Sequence, residues 1–269
     1  MLFGYSPRFL GAIRRNPGRY YRTFSLKSGK SIRTIRTPRV ALKVIQRWFG
    51  YHLSLVADLP DHVHGFVPER STVTAARIHC PAQWVLSIDI RDFFGSVNAD
   101  RVFASLQDLG YPRAAAHLLT DLSTVNVGGS YRCLPQGAPS SPVLANLAFQ
   151  ETDIALEELA ITGNMNLTRY ADDISFSSSG RPDQALQNMV HRLVESHGWT
   201  IAQEKTRLAE LPLRYPRILG LHVDQEIPRL PKKYKNRLRM MRHMIKNDDL
   251  PSSQRAKFDG HLAYAASIG

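Results

Sequence analysis

The chain has 269 residues, which is enough for one compact catalytic unit with a sizeable core. No apolar run approaches the ~18 to 20 residues needed to cross a bilayer, so we expect no membrane span. The two cysteines, Cys80 and Cys133, are far apart and lack metal-ligand spacing. This pattern argues against a disulfide framework and a zinc site and fits a reducing cytoplasm.

The positive charge is concentrated near the N-terminus. The chain contains 35 Lys and Arg against 23 Asp and Glu, and no acid precedes Asp58. A concentrated cationic surface attracts phosphate backbones. A targeting peptide is also Arg-rich and acid-poor, but here the basic stretch continues through strand-like and helix-like patterns. We therefore expect a nucleic acid as the partner.

Apolar periodicity predicts strands and helices in succession, without internal repeats or long linkers. The first half comprises a basic helix, strands at Tyr21–Ser25 and Ser31–Thr34 around a Ser28-Gly29 turn, a helix at Val40–Leu55 and a buried strand at Trp84–Ile90. The second half comprises a helix capped by Asn98, a helix opened by Ser141 as its cap and running to about Ala160, a hairpin over Leu167–Ser178, a helix capped by Asp183, and strands at Thr200–Leu211 and Arg217–Val223. This order predicts an α+β protein with an antiparallel sheet and helices on one face.

Beyond Pro231 the pattern becomes purely helical. Apolar residues recur at helical spacing from Tyr234 to Ile245 and form one stripe. A second set, called here the basic stripe, recurs beside it: Lys232, Lys235, Arg239, Arg242 and Lys246. We expect this helix to dock on its own protein and to face the phosphate backbone of a nucleic acid. A membrane-surface helix and an ordinary solvated face are the alternatives.

Two acidic strings indicate the chemistry. Residues 87–94 read Ser-Ile-Asp-Ile-Arg-Asp-Phe-Phe, and residues 169–174 read Arg-Tyr-Ala-Asp-Asp-Ile. Each places acids at the end of an apolar, strand-like run. Mg²⁺ is bound through one or two carboxylates plus substrate phosphates, and two ions roughly 3.5 to 4 Å apart serve phosphoryl transfer. An Asp-Asp pair also suits an ordinary hairpin turn, so the second string alone leaves both interpretations open.

Two further strings complete a series. Residues 134–142 read Leu-Pro-Gln-Gly-Ala-Pro-Ser-Ser-Pro, and residues 204–206 read Glu-Lys-Thr. Acidic strand, Pro-Gln-Gly loop, Tyr-Ala-Asp-Asp hairpin and Lys-Thr together resemble the motif series of reverse transcriptases. His64-Gly65-Phe66-Val67, with Arg70-Ser71 after it, looks most like the bacterial retron-type branch. The resemblance covers the chain from about Tyr21 onward.

The resemblance implies a right-hand polymerase architecture, with fingers, an antiparallel-sheet palm and a small helical thumb. We expect residues 1–228 to form the fingers and palm, and residues 229–269 to form the thumb. The implied cofactor is a pair of Mg²⁺ ions. One ion would lower the pKa of the primer hydroxyl, and the other would neutralise charge on the departing pyrophosphate.

The predicted metal ligands lie in the two acidic strings. Asp89 and Asp172 are expected to bridge the ions, with Asp173 as the third carboxylate. The backbone carbonyl of Ile90 is an additional candidate ligand. Asp92 is excluded because strand periodicity would turn it to the face opposite Asp89.

The resemblance also implies a nucleotide-binding set. Phe94 would lie against the sugar 2′ position and exclude a ribonucleotide hydroxyl by overlap. Gln136 would contact the incoming nucleotide, and Lys205 would lie near its pyrophosphate. The fingers hairpin would grip the triphosphate through Lys27, Lys30 and Arg33.

A retron-type enzyme would copy part of a structured noncoding RNA into single-stranded DNA in the bacterial cytoplasm. It would use dNTPs, would prime from an RNA 2′-hydroxyl, and would act beside an effector protein in antiphage defence. Two signatures of that branch are altered here, as Ala75-Ala76-Arg77-Ile78-His79 and Ile218-Leu219-Gly220, and both bear on RNA recognition more than on metal chemistry. A group II intron-type reverse transcriptase and a catalytically silent RNA-binding scaffold remain open alternatives.

Overall fold

The computed structural model describes residues 4–28, 31–180, 184–247 and 252–268. The first elements are α1 (Pro7–Arg15), β1 (Tyr21–Ser28), β2 (Ser31–Pro38), α2 (Val40–Val56), α3 (Thr72–Ile78), β3 (Trp84–Asp89), α4 (Phe93–Ser96), α5 (Ala99–Asp108), α6 (Arg113–Ser123), β4 (Val125–Gly128) and β5 (Tyr131–Cys133). They are followed by α7 (Ser141–Thr162), β6 (Asn166–Tyr170), β7 (Asp173–Ser178), α8 (Gln184–Ser196), β8 (Arg207–Glu210), β9 (Arg217–Ile218), β10 (Leu221–His222), α9 (Lys232–Lys246) and α10 (Ser252–Ala266). Short 3-10 turns occur at Pro17–Tyr20 and Gln203–Lys205.

The N-terminal hairpin is longer than predicted. β1 and β2 pair antiparallel from Tyr21 opposite Pro38 to Ser28 opposite Ser31. The predicted turn residue Gly29 and the predicted phosphate contact Lys30 lie outside the described residues. Gln46 of α2 donates hydrogen bonds to the Tyr21 hydroxyl (2.6 Å) and to the Leu122 carbonyl (2.7 Å). These bonds tie the hairpin to α2 and to the end of α6.

A four-stranded antiparallel sheet occupies the centre, in the order β6-β7-β3-β8. Alternation along β3 and β7 sends Leu86, Ile88 and Phe176 into one core with apolar residues of α5, α7 and α8. Side chains of a strand alternate between its two faces, so Asp89 and Asp173 lie on the other face. The predicted α+β class is confirmed, but the helices do not pack on one sheet face alone, because Val73 and Ala76 of α3 share a second core with Val85 on the face opposite Leu86.

The bounds of the last two predicted strands, Thr200–Leu211 and Arg217–Val223, are wrong. Arg217–Val223 is a tight hairpin, β9 and β10, whose turn residues Leu219 and Gly220 both have positive φ. Ile218 and Leu221 are both buried, so the apolar pattern continues across the turn and hides it. Within Thr200–Leu211 only Arg207–Glu210 is a strand, because a 3-10 turn interrupts the run.

The predicted helix starts are confirmed in one case and displaced in another. The Asn98 side chain accepts a hydrogen bond from the Arg101 N–H (2.9 Å) and caps α5 as expected. α7 begins at Ser141, so Ser140 and not Ser141 occupies the N-cap position, and the Ser140 side chain makes no capping hydrogen bond. The Ser141 hydroxyl donates to the Pro135 carbonyl (2.9 Å). Asp183, predicted to cap the following helix, lies outside the described residues.

α9 begins directly after Pro231, and it has the two predicted faces. Leu238 and Met241 are buried against Phe258 of α10, whereas all five residues of the basic stripe are exposed. No helix in the described part of the chain has the length and apolar character needed to cross a bilayer. The boundary between palm and thumb at residues 228 and 229 stays a prediction.

Candidate active site

Three carboxylates meet at one end of the central sheet. Asp89, the last residue of β3, pairs in register with Asp173, the first residue of β7. Asp172 belongs to the two-residue turn between β6 and β7, and its carbonyl accepts a hydrogen bond from the Ile90 N–H (2.9 Å). The strand pairing therefore brings together all four residues predicted to ligate metal.

The three acids influence one another electrostatically. Burial, followed by the charges of Asp172 and Asp89, raises the pKa of Asp173 to about 7. Burial also raises the pKa of Asp172, and Asp89 adds to this effect. The cations of Lys205 and Arg33 offset only part of this rise in the pKa of Asp172. A divalent cation at this position would relieve the repulsion among the carboxylates.

The donor set fits Mg²⁺ in its chemistry. Among the described residues, no group of three or more His, Cys, Asp or Glu side chains is arranged to hold a metal ion by itself. Mg²⁺ commonly takes one or two carboxylates and completes its shell with substrate phosphates and waters, so a partial protein shell suits it. The residues that would hold the ions are Asp89, Asp172, Asp173 and Ile90. The Lys205 Nζ lies 2.7 Å from the Asp89 Oδ1, so this ammonium neutralises part of the cluster.

A cleft of about 660 Å³ opens beside Asp172. Four of the predicted nucleotide-binding residues in the described part of the chain line it: Arg33, Phe94, Gln136 and Lys205. The Gln136 carbonyl accepts a hydrogen bond from the Arg36 N–H (2.8 Å), which fastens the Pro-Gln-Gly loop to β2. Lys27 is exposed on β1 and is not among the residues lining this cleft. A nucleotide contact by each of these residues stays a prediction.

The chain turns sharply after Ile90. Asp92 has a φ of +46° and precedes the short helix α4, so the strand periodicity used to exclude it as a ligand does not extend that far. The prediction that Asp92 points away from the acids was therefore wrong, because Asp92 lines the same cleft as Asp172. The Asp92 carboxylate packs against Gly95, and a Cβ added to Gly95 would overlap the Asp92 Oδ2. Phe93 enters the core and Phe94 lines the cleft.

A second cleft of about 720 Å³ lies along β3 and β8 and reaches Asp89 and Asp173. Lys205 lines both clefts, so the acids stand where the two clefts meet. Three arginines contribute to the wall of the second cleft: Arg207, Arg214 and Arg217. These arginines were not predicted as site residues, because their spacing along the chain follows neither a strand nor a helix period. Only the folding of the β8 to β9 segment brings them to one wall.

A buried ion pair supports the acidic turn. The Arg169 guanidinium is fully buried, and its Nε donates to the Asp153 Oδ1 (2.7 Å). Its Nη1 also donates to the Ala171 carbonyl (3.1 Å). A buried arginine requires a buried partner, and the only sequence signal for it is a charged residue in a predicted strand of the hairpin. The identity of that partner, on α7, is a tertiary fact.

The segment around Gly65 contacts the same turn from the side. The N–H groups of His64 and Gly65 donate to the Arg169 carbonyl (2.7 and 3.3 Å). A Cβ on Gly65 would overlap the Ala171 nitrogen and lie 2.9 Å from the Tyr170 carbonyl carbon. Glycine is therefore required at this position by close backbone approach. The contacts of Arg169 and Gly65 with the turn thus come from two different parts of the chain.

Residues 25–223 match the family model described as reverse transcriptase (RNA-dependent DNA polymerase). The retron Mx65 reverse transcriptase of Myxococcus xanthus is 35% identical, covering 93% of this chain and 62% of the relative. The retron Ec86 reverse transcriptase of Escherichia coli is 33% identical, covering 77% of this chain and 64% of the relative. The chain thus spans less than two thirds of the length of these curated relatives. The predicted resemblance to retron-type enzymes is confirmed.

Solved structures support the fold. An apo telomerase from Candida tropicalis, truncated at its C-terminal domain, matches with a TM-score of 0.55 at 13% identity, covering 80% of this chain and 56% of the other. A Candida albicans telomerase in complex with a telomeric RNA fragment gives 0.53 at 10% identity, covering 90% and 54%. The polymerase architecture is therefore confirmed by structure as well as by motif. The chain belongs to the reverse transcriptase (RNA-dependent DNA polymerase) family.

Proposed function

We propose that this chain is an RNA-directed DNA polymerase that works by two-metal nucleotidyl transfer. The observation that supports this function best is the pairing of Asp89 with Asp173 in register, beside Asp172, where two clefts meet. A catalytically silent RNA-binding scaffold has no physical reason to cluster three carboxylates where burial and neighbouring charges raise the pKa of Asp172 and Asp173. Bound Mg²⁺ would supply activation of the primer hydroxyl and neutralisation of the leaving pyrophosphate.

The residues of the cleft have distinct roles in this proposal. Arg33 and Lys205 neutralise the triphosphate, and Arg33 is suited to phosphate oxygens by its guanidinium fork. Gln136 contacts the incoming nucleotide from a loop anchored on β2. The Phe94 ring excludes a 2′-hydroxyl by overlap. Lys27 contributes from the outer part of the hairpin.

The proposed template is a structured noncoding RNA, copied in part into single-stranded DNA from an RNA 2′-hydroxyl primer. Similarity to retron reverse transcriptases supports this choice over a group II intron-type enzyme. The exposed basic stripe of α9 would contact RNA phosphates. By the same similarity, we extend the proposal to antiphage defence together with an effector protein.

Primer extension tests the polymerase assignment. Purified protein should extend a primer on an RNA template with dNTPs and Mg²⁺, and Asp172→Asn should abolish extension. Asp108→Asn, an exposed acid at the end of α5, is the matched control and should retain activity. A wild-type protein that binds RNA but extends no primer would favour the scaffold.

Sequencing of the nucleic acid that copurifies with the protein from its native host tests the template class. A branched RNA joined to single-stranded DNA would support the retron-type reaction. A spliced intron lariat would instead support the group II intron-type alternative. The antiphage proposal is tested separately, by comparing phage plating on the host with and without Asp172→Asn.

A further inference from the structure

The Phe66 ring belongs to the cleft beside Asp172, and no predicted role accounts for an aromatic ring at this position. It lines the cleft together with Phe94, Gln136 and Asp172 and is 44% exposed. Its centroid lies 6.1 Å from that of Phe94 and 6.4 Å from that of Tyr170. Phe66 thus connects the ring proposed to exclude ribonucleotides with the hairpin that bears the acids.

The backbone of Phe66 is held in an unusual conformation. Its φ is +63°, in the left-handed region that a bulky aromatic residue rarely adopts. Such strain persists only where the surrounding structure imposes it, and it is concentrated at functional sites. A conformation that costs folding energy yet leaves the ring half exposed calls for a role outside the core.

Contacts on the preceding residue impose this conformation. The Gly65 carbonyl accepts a hydrogen bond from the Asn146 Nδ2 (2.8 Å), and the Gly65 N–H donates to the Arg169 carbonyl (3.3 Å). Gly65 also abuts the backbone of Ala171. Because α7 and the acidic hairpin both hold Gly65, the position of the Phe66 ring is set relative to Asp172.

Among the described residues, two aromatic rings, those of Phe93 and Phe66, lie next to the Phe94 ring. Phe93, with a centroid distance of 5.6 Å, is fixed in the core against Phe149 and Trp199. Phe66 approaches from the direction of the cleft and the acidic hairpin. Removal of the Phe66 ring would leave open space beside Phe94 into which that ring can turn. A Phe94 ring that turns into this space would leave more room beside the sugar of the incoming nucleotide.

We infer that Phe66 is a specificity-determining positioning residue, which holds the Phe94 ring in place and thereby sets discrimination between deoxyribonucleotides and ribonucleotides. This inference rests on the proposed polymerase function. Phe66 acts through Phe94 and not through contact with the reacting atoms. Its loss therefore changes sugar selectivity while the acids and the extension reaction with dNTPs remain.

Single-nucleotide incorporation on a primed RNA template tests the inference. The measurement is the ratio of kcat/KM for an rNTP to that for the matching dNTP. In Phe66→Ala the ratio should rise roughly three- to tenfold, the size of effect expected for the loss of one aromatic ring pair. Phe66→Tyr keeps the ring and should restore the wild-type ratio. Phe66→Leu should give an intermediate ratio. If the alanine variant fails to fold, the ratio of the leucine variant is compared with that of the wild type instead.

The double variant Phe66→Ala/Phe94→Ala distinguishes action through Phe94 from direct action on the substrate. Phe94→Ala alone should raise the ratio more than Phe66→Ala does. The double variant should then match Phe94→Ala, because residues that act through one another are not additive. A full additional increase in the double variant would overturn the inference, since Phe66 would then contact nucleotide or template itself.

Controls separate this inference from the polymerase assignment. Tyr51→Ala removes a ring of α2 that is 61% exposed and absent from both clefts, and it should leave the ratio unchanged. An unchanged ratio in Phe66→Ala, with normal dNTP incorporation, would refute the role of Phe66 and leave the polymerase intact. Absence of dNTP incorporation by the wild-type protein would refute the polymerase assignment instead.

Discussion

Arg169 and Asp153 form a fully buried ion pair directly beneath the turn that carries Asp172. The guanidinium binds both carboxylate oxygens, with Nε 2.7 Å from Oδ1, and a third nitrogen contact reaches the Asn146 Oδ1 (3.0 Å). Because every one of these partners lies on α7, the ion pair joins the longest helix to the acidic hairpin. The position of the acidic turn thus depends on a hydrogen-bonded ion pair in the protein core.

Asp153→Ala should lower the free energy of unfolding by about 3 to 5 kcal/mol, because it leaves the Arg169 charge buried and unpaired. Urea denaturation measures this loss. The exposed pair Arg255 and Asp259 is the control, and Asp259→Ala should cost less than about 1 kcal/mol. Similar losses for the two variants would contradict the role given to the buried pair.

Gly65→Ala should abolish primer extension, because the new Cβ would overlap the backbone of the acidic turn. Backbone atoms cannot rotate away as a side chain does, so the turn or the loop must move. Gly260→Ala is the control: its Cβ meets nothing within 4 Å, and extension should be unchanged. Full activity of Gly65→Ala would show that the close approach to Ala171 is not required.

The raised pKa of Asp173 predicts pH dependence in the absence of metal. A folded pKa of about 7, against about 3.9 for an unfolded Asp, favours the protonated carboxyl in the folded state. The stability that this group contributes is therefore complete below about pH 4 and is lost as the pH rises towards 7. In EDTA, Asp173→Asn should flatten the decline in the free energy of unfolding across this window. If the free energy of unfolding of the variant declines as steeply as that of the wild type, groups other than Asp173 cause the pH dependence.

Metal affinity should follow the same titration. Mg²⁺ must displace the proton of Asp173 below pH 7, so its affinity should fall there by at most about tenfold per pH unit for one proton. Calorimetric titration with Mg²⁺ at pH 6, 7 and 8 measures this dependence. Equal affinity at pH 6 and 8 would contradict the proposed ligand.

Lys205→Ala should separate metal binding from catalysis. Without the ammonium 2.7 Å from the Asp89 Oδ1, the carboxylates repel one another more strongly, and Mg²⁺ should bind more tightly in the absence of nucleotide. Extension should nevertheless slow by roughly 100-fold, the lower end of the effect of a positioned acid. Weaker Mg²⁺ binding by the variant would show that Lys205 does not compete with the ion.

The basic stripe predicts a salt-dependent contact. Arg239→Ala should weaken RNA binding equally for all sequences and should reduce the slope of log affinity against log salt by about one. Arg237→Ala is the matched control, since it removes the same charge from the same helix on the other flank of the apolar stripe. Its exposed side chain should leave the slope unchanged. Equal effects of the two variants would indicate a general charge effect.

The sequence alone predicted the family resemblance, the α+β sheet, the α9 faces and the acids Asp89, Asp172 and Asp173. Those features are local, because alternation, helical spacing and motif order are properties of neighbouring residues. The β9 and β10 hairpin was missed because Ile218 and Leu221 are both buried, and the apolar pattern does not record a reversal between them.

Only the tertiary structure decided how the site is completed. Asp153 reaches Arg169 from a separate helix, Phe66 reaches Phe94 from a separate loop, and Lys205 reaches Asp89 across 116 positions of chain. Contacts of this kind depend on how elements pack, and packing leaves no period in the sequence. Local residue patterns thus determined which groups the molecule possesses, whereas burial and strand pairing determined which groups meet.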